Sequence, residues 1–270
     1  MTAGLATVQG TNAALDDLLE HCLPAGVDFV ELPADRLERA IGAPVPTVPI
    51  EPPPVDAIEL GLLELEQEVL QDSYELARAT YTAQLRDWRR TTSLVPAGAV
   101  RRAWEAAGLR IRFVAWDGLD RLTDAEIDYA CRLAAAVGAD AVVTDMPPAA
   151  AVRHASASYR VPLAIRNTAA SEPLDLELLL ARGPGLAAAV DLAAWFEGRH
   201  GPPFPWIEEH VDSIVQLRVT AAGMASAPFG RHTPAIVACL EELRAAGIDL
   251  PVVIEGDEVL RAAALARVRG

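Results

Sequence analysis

The chain has 270 residues, is 51% hydrophobic and carries a formal net charge of −15. That length suits one α/β barrel of about 250 residues, and the acidic balance argues against nucleic acid or an anionic membrane surface as a partner. No apolar run approaches the roughly 18 residues of a membrane-spanning helix, and the first residues lack the basic start and apolar core of a secretory signal.

The chain opens with an expected strand near Leu5 to Gln9 and a helix over Ala13 to Leu23. VDFVEL, residues 27–32, is dense in β-branched and aromatic types and reads as the second strand. Six prolines between 43 and 54 then exclude helix interior and predict extended chain. From about Asp56 to Trp88 apolar residues recur at helical spacing among good helix formers, with a Glu-rich start and an Arg-rich end that match the helix dipole. Val100 to Ala107 continues as helix and stops at Gly108. This stretch, about 56–107, is expected to be a helical insertion after the second strand.

From Gly108 the alternation is regular. Strands are predicted at 109–116, 139–146, 161–166, 186–192, 213–219 and 250–255. Helices fall between them: one opened by a Thr123/Glu126 capping box and running to Val137, then Pro147 to Tyr159, 174–181, 204–211, 233–246 and 257–268. Eight strands with helical connections and no linker predict a single (β/α)8 TIM barrel spanning 1–270. Cys22, Cys131 and Cys239 are odd in number and far apart, as expected of buried thiols in a reducing cytoplasm rather than disulfides or metal ligands.

The stretches LRDWRRTTSL, VRRAWEAAGLRI, TDAEIDYACRLAAAVGAD and PFGRHTPAIVACLEELRAAGIDLPVVIEGD resemble segments of the xylose isomerase-like sugar phosphate isomerase/epimerase barrels. The resemblance runs from Leu85 to the end and is weak in the first 60 residues. It implies a divalent metal (manganese, cobalt or magnesium) held at the C-terminal mouth by ligands from four successive strand ends, with two glutamates exchanging the proton in epimerisation. Carried over residue by residue, those ligand positions fall on Arg166, Asp191, Arg218 and Glu255. Two are thus arginine, which is always protonated and offers no lone pair. Two like charges about 4 Å apart repel by about 4 kcal/mol at an effective dielectric near 20. The expectation is therefore a degenerate site without the metal, in which two guanidiniums balance two carboxylates.

Two readings of that quartet stand side by side. In one, Glu255 is a general base with Asp191 as partner, and Arg166 and Arg218 face a small anionic or sugar-like substrate. In the other, the barrel is non-catalytic and binds a metabolite or a partner protein, with the insertion as its surface. Further pocket candidates are Trp116, Asp145 and Asn167 at strand ends, and Arg231 and His232 in the loop APFGRHTP, where Thr233 is the expected N-cap and Pro234 the first helical residue. Glu31 has the alternation phase of a pocket residue but is expected to be solvated. Homo-oligomerisation is implied by the resemblance alone. An endonuclease-like barrel is disfavoured by the acidic charge.

Overall fold

The computed structural model describes residues 2–6, 15–22, 26–46, 64–145, 160–183, 185–221, 224, 226–256 and 258–269. Eight strands form a closed parallel barrel in sequence order: β1 (Ala3–Ala6), β2 (Phe29–Pro33), β3 (Arg110–Ala115), β4 (Ala141–Thr144), β5 (Leu163–Arg166), β6 (Leu186–Asp191), β7 (Ile214–Ala221) and β8 (Val252–Gly256). Ten helices are seen among the described residues: α1 (Leu15–Cys22), α2 (Ala34–Ala40), α3 (Glu64–Thr91), α4 (Val95–Ala106), α5 (Asp124–Val137), α6 (Pro173–Leu180), α7 (Leu192–Glu197), α8 (Phe204–Glu209), α9 (Thr233–Ala245) and α10 (Glu258–Arg269). The expected TIM barrel is thus observed.

Alternation along each strand sorts side chains into two sets. Outward valines, leucines and isoleucines pack against the helices in the larger core, together with all three cysteines. Burial pushes the Cys22 thiol up to about 11 and those of Cys131 and Cys239 up to about 12, which leaves them inert. The inward set is small: Ala6, Ala141, Ala164, Ala187 and Ala189 line the barrel around Phe29 and Phe113. These two rings meet edge-to-face at 5.6 Å and fill the space the alanines leave. Gly4 belongs to the same packing, because a Cβ there would stand 2.2 Å from the Phe29 ring. Towards the N-terminal end, the Arg112 guanidinium lies 5.3 Å over Phe29 and pairs with Asp140 at 2.5 Å.

Two register shifts set which residues face inward. The β2–β3 pairing steps from Val30↔Ile111 to Glu31↔Phe113, and the β6–β7 pairing from Ala188↔Ile214 to Ala189↔Gln216. Such bulges re-aim side chains locally.

The differences from sequence expectation lie at element ends and in short helices. β1 is Ala3–Ala6 rather than 5–9, and α4 begins at Val95 with proline in its first turn. α3 is seen from Glu64 to Thr91; the proline run beyond residue 46 and the expected helix at 147–159 lie outside the described residues. The capping box opens α5 as expected, with the Thr123 N–H donating to Glu126 Oε2 at 3.0 Å. Thr233 does not cap α9. It is the first helical residue, and its hydroxyl donates to the Gly230 carbonyl while accepting from the Phe229 N–H. Two helices went unrecognised: α2, whose ADRLERA is rich in helix formers, and α7, which Asp191 caps by accepting from the Ala194 N–H at 3.0 Å.

Candidate functional site

The carboxyl ends of the strands carry a ring of charged side chains. β2 gives Glu31, β6 gives Asp191, β7 gives Gln216 and Arg218, β8 gives Glu255, and Arg166 ends β5. Asp117 and Asp145 lie just beyond the ends of β3 and β4. In TIM barrels this face is where the chemistry sits.

Arg218 is the hub. Its Nη1 donates to Glu31 Oε1 at 2.5 Å; its Nε and Nη2 donate to Glu255 Oε2 at 2.9 and 2.6 Å. Gln216 Nε2 donates to the other Glu31 oxygen at 2.9 Å. Glu31 is 2% exposed, Gln216 0% and Arg218 5%. Desolvation by itself favours a neutral Arg218, yet Glu31 and Glu255 outweigh it and hold the guanidinium more firmly protonated than usual. The expectation of a solvated Glu31 is therefore corrected: burial beside a guanidinium fixes it. Gln216 Oε1 is buried without a hydrogen-bond partner among the described residues.

The second arginine has different partners from those expected. Arg166 approaches Asp145 at 2.5 Å, an ion contact without hydrogen-bond alignment, and stands 3.9 Å from Asp117. Asp191 pairs with neither arginine. Asn167 holds it through the backbone, with the Asp191 N–H donating to Asn167 Oδ1 at 2.7 Å and Asn167 Nδ2 donating to the Asp191 carbonyl at 3.1 Å. Desolvation raises the Asp191 carboxyl above the usual range, partly offset by the Ala194 N–H and the more distant charges of Arg218 and Arg166. The charge balance differs accordingly. Arg166 and Arg218 face five carboxylates, Glu31, Asp117, Asp145, Asp191 and Glu255, not two. Among the described residues no three Asp, Glu, His or Cys side chains converge as a metal-binding group.

Beside the ring, a cavity of about 370 Å³ opens between the ends of β2 and β3, bordered by Arg36, Glu38, Arg89, Trp116 and Asp117. Its size falls in the range of small-ligand pockets, roughly 300–1,000 Å³. Trp116 is buried, edge-on to Tyr129, with the Arg89 guanidinium 5.1 Å over its ring. Arg89 itself ties three helices together. Nε and Nη2 donate to Glu38 on α2 at 2.7 and 2.9 Å, and Nη1 donates to Glu126 on α5 at 3.0 Å. Nothing in the periodicity of α3 marks Arg89 as buried, since it sits among exposed arginines in the sequence.

Arg231 and His232 lie apart from these contacts. Arg231 is exposed and 3.7 Å from Glu197, and the His232 ring stacks on Phe196. Of the remaining histidines, His200 is not a surface residue: its side chain is 8% exposed, Nδ1 lies 3.4 Å from Glu172, and its ring meets Trp195 edge-on.

The closed eight-stranded parallel barrel defines a (β/α)8 fold, which the chain shares with solved structures of xylose isomerase domain proteins and of a sugar phosphate isomerase/epimerase. The structural likeness spans the whole chain at low sequence identity. 3-Keto-D-glucoside 4-epimerase from E. coli superposes with a TM-score of 0.62 at 12% identity, covering 100% of this chain and 99% of that one. A sugar phosphate isomerase/epimerase from Parabacteroides distasonis gives 0.59 at 14% identity, covering 98% and 95%. The probable 3-DHS dehydratase of Bacillus anthracis gives 0.58 at 13% identity, covering 100% of both chains. No protein-family model and no curated protein sequence matches the chain.

Proposed function

We propose that the barrel mouth is the active site of a sugar isomerase or epimerase-like enzyme that works on a small, hydroxyl-rich metabolite without the divalent metal that the sequence resemblance implies. The observation that carries this reading is the state of Glu255. Both hydrogen bonds from Arg218 fall on its Oε2, and its side chain is 37% exposed, while the rest of the clamp is buried. It is an oriented carboxylate with one oxygen left for a substrate.

The chemistry is an enolisation. Glu255 takes the proton from the carbon beside a carbonyl, the electron pair moves into the new C=C bond, and the carbonyl oxygen becomes an enolate or, with a proton from Asp191, an enol. The raised Asp191 carboxyl suits the proton-donating role. Arg166 provides positive charge where the oxyanion forms. Return of the proton to the opposite face gives an epimer; return to the neighbouring carbon gives an isomer. Where a metal would sit, the Arg218 guanidinium stands between carboxylates, so the donor set does not fit a hard dication that wants about six oxygen ligands. The excess of carboxylates favours a neutral ligand that donates hydroxyl hydrogens over a phosphate or carboxylate.

The test is a thermal-shift panel of neutral ketoses, keto-sugars, sugar phosphates and sugar acids, followed by NMR detection of solvent deuterium exchange into each ligand that binds. The reading expects a neutral ligand to exchange with wild type, and Glu255→Gln to bind it without exchange. Exchange undiminished in Glu255→Gln removes the assigned base. Binding without exchange in wild type favours a non-catalytic barrel, the reading supported by the engagement of Arg218 Nε, Nη1 and Nη2 with Glu31 and Glu255.

A further inference from the structure

The outer face of α3 is a second feature with no role in the mouth. α3 has 28 residues, about 42 Å of helix at 1.5 Å per residue. Among the described elements its main contact is α5, made near its C-terminal end through Arg86 and Arg89 on Glu126 and Trp88 on Tyr129. One helical row, Leu70, Tyr74, Ala77, Tyr81, Leu85 and Trp88, is half-buried. Another faces solvent: Val69 is 61% exposed and Leu76 70%, and Ala83 continues the seven-residue spacing, with Ala79 beside it. Apolar residues repeating every seven positions, with intermediates three or four apart, form the seam of a helix pair.

We propose that this seam pairs antiparallel with α3 of a second copy of the chain, about a two-fold axis at Leu76. Two complementarities select both partner and direction. The first is charge. On the exposed face the acids Asp72 and Glu75 precede the arginines Arg78, Arg86 and Arg90, with Asp87 the one late acid. Antiparallel pairing lays the basic end of one copy along the acidic start of the other and opposes the helix dipoles, whereas parallel pairing sets like on like. The second is size. With Leu76 on its own symmetry mate, Val69 falls opposite Ala83, so the larger apolar side chain of the first half meets the smaller one of the second, and Asp72 falls opposite Thr80. An isologous two-fold contact closes on itself. One helix pair lies at the low end of specific interfaces, which places association on the order of micromolar.

Sedimentation of the full chain over a concentration series tests this. Wild type is expected to pass from monomer to dimer, and Leu76→Glu, which stacks two carboxylates at the axis, is expected to raise the dissociation constant at least about tenfold. Leu76 is exposed, so an unchanged circular dichroism melt in the monomer verifies that the fold is intact. Direction is read by cysteine pairing under mild oxidant, in a protein whose own three cysteines are buried. Leu76→Cys is expected to crosslink to itself, and Val69→Cys chains to crosslink to Ala83→Cys chains but not to one another. A chain that stays monomeric, a dimer indifferent to Leu76→Glu, or Val69→Cys self-crosslinking overturns the proposal. None of these outcomes bears on the activity assigned to the mouth.

Discussion

Arg218 Nη1 lies 2.5 Å from Glu31 Oε1, joining two residues 187 positions apart across the inside of the barrel. Both are buried. This contact, with the two further bonds from Arg218 to Glu255, makes the centre of the mouth a clamp. A guanidinium with Nε, Nη1 and Nη2 all engaged orients its carboxylates instead of receiving an anion.

Removing the clamp should therefore damage the fold first. Arg218→Ala leaves Glu31 buried and uncompensated, a loss of about 3–5 kcal/mol. The measurement is the urea midpoint with its slope. Pairing Arg218→Ala with Glu31→Gln should recover part of the loss, because the stranded charge is gone. If Arg218→Ala alone is neutral, the clamp is not what holds the mouth.

Arg89 should behave the same way at the helical layer. Arg89→Met strands Glu38 and leaves Glu126 with only Thr123 and the half-exposed Arg86; both carboxylates are 4% exposed, and the cost is about 3–5 kcal/mol. Arg86→Ala removes a half-exposed contact with the same Glu126 and should cost no more than about 1 kcal/mol. Equal effects from the two would contradict the assignment of Arg89 as the tie among α2, α3 and α5.

Stability should fall with rising pH through Asp191. Its carboxyl is raised in the folded state, first by desolvation. The folded form therefore holds its proton more tightly than the unfolded form, whose value is near 3.9. The associated stability is full below that value and is lost as pH rises through the folded one. Asp191→Asn keeps the helix cap and cannot ionise, so it should be more stable than wild type at pH 7. The advantage should vanish below pH 4, as followed by denaturation at the two pH values.

Gly256 tests the geometry that presents Glu255. Its φ is +139°, and a Cβ would stand 2.4 Å from the Ala221 carbonyl oxygen on the neighbouring strand. Gly256→Ala combines backbone strain with a clash against a β7 carbonyl, at a cost of about 2–5 kcal/mol. A melting temperature within a degree of wild type would show that β8 ends with more room than this.

The metal assignment is tested directly. Protein purified without chelator should hold well under one equivalent of tightly bound manganese, cobalt or magnesium, and chelator should leave its melting temperature unchanged. A stoichiometric metal whose removal abolishes deuterium exchange would overturn the reading of Arg166 and Arg218.

The sequence determined the barrel, because alternation of short apolar runs with helical ones is a local property, and ADAVVTDM or SIVQLRV reads as a strand from its own residues. It also named Arg166, Asp191, Arg218 and Glu255 as strand-end groups. Pairing was decided by the tertiary structure. Local patterns say which way a side chain points but not what stands across the barrel, so Glu31 looked like a solvated glutamate until closure set it against Arg218. The two register shifts, invisible to a period of two, belong to the same class. Arg89 shows the limit most plainly: it lies among exposed arginines in sequence, and only the approach of α2 and α5 buries it. Charge type is written locally, whereas charge balance depends on neighbours distant in sequence, and for that reason two carboxylates became five only when the barrel closed.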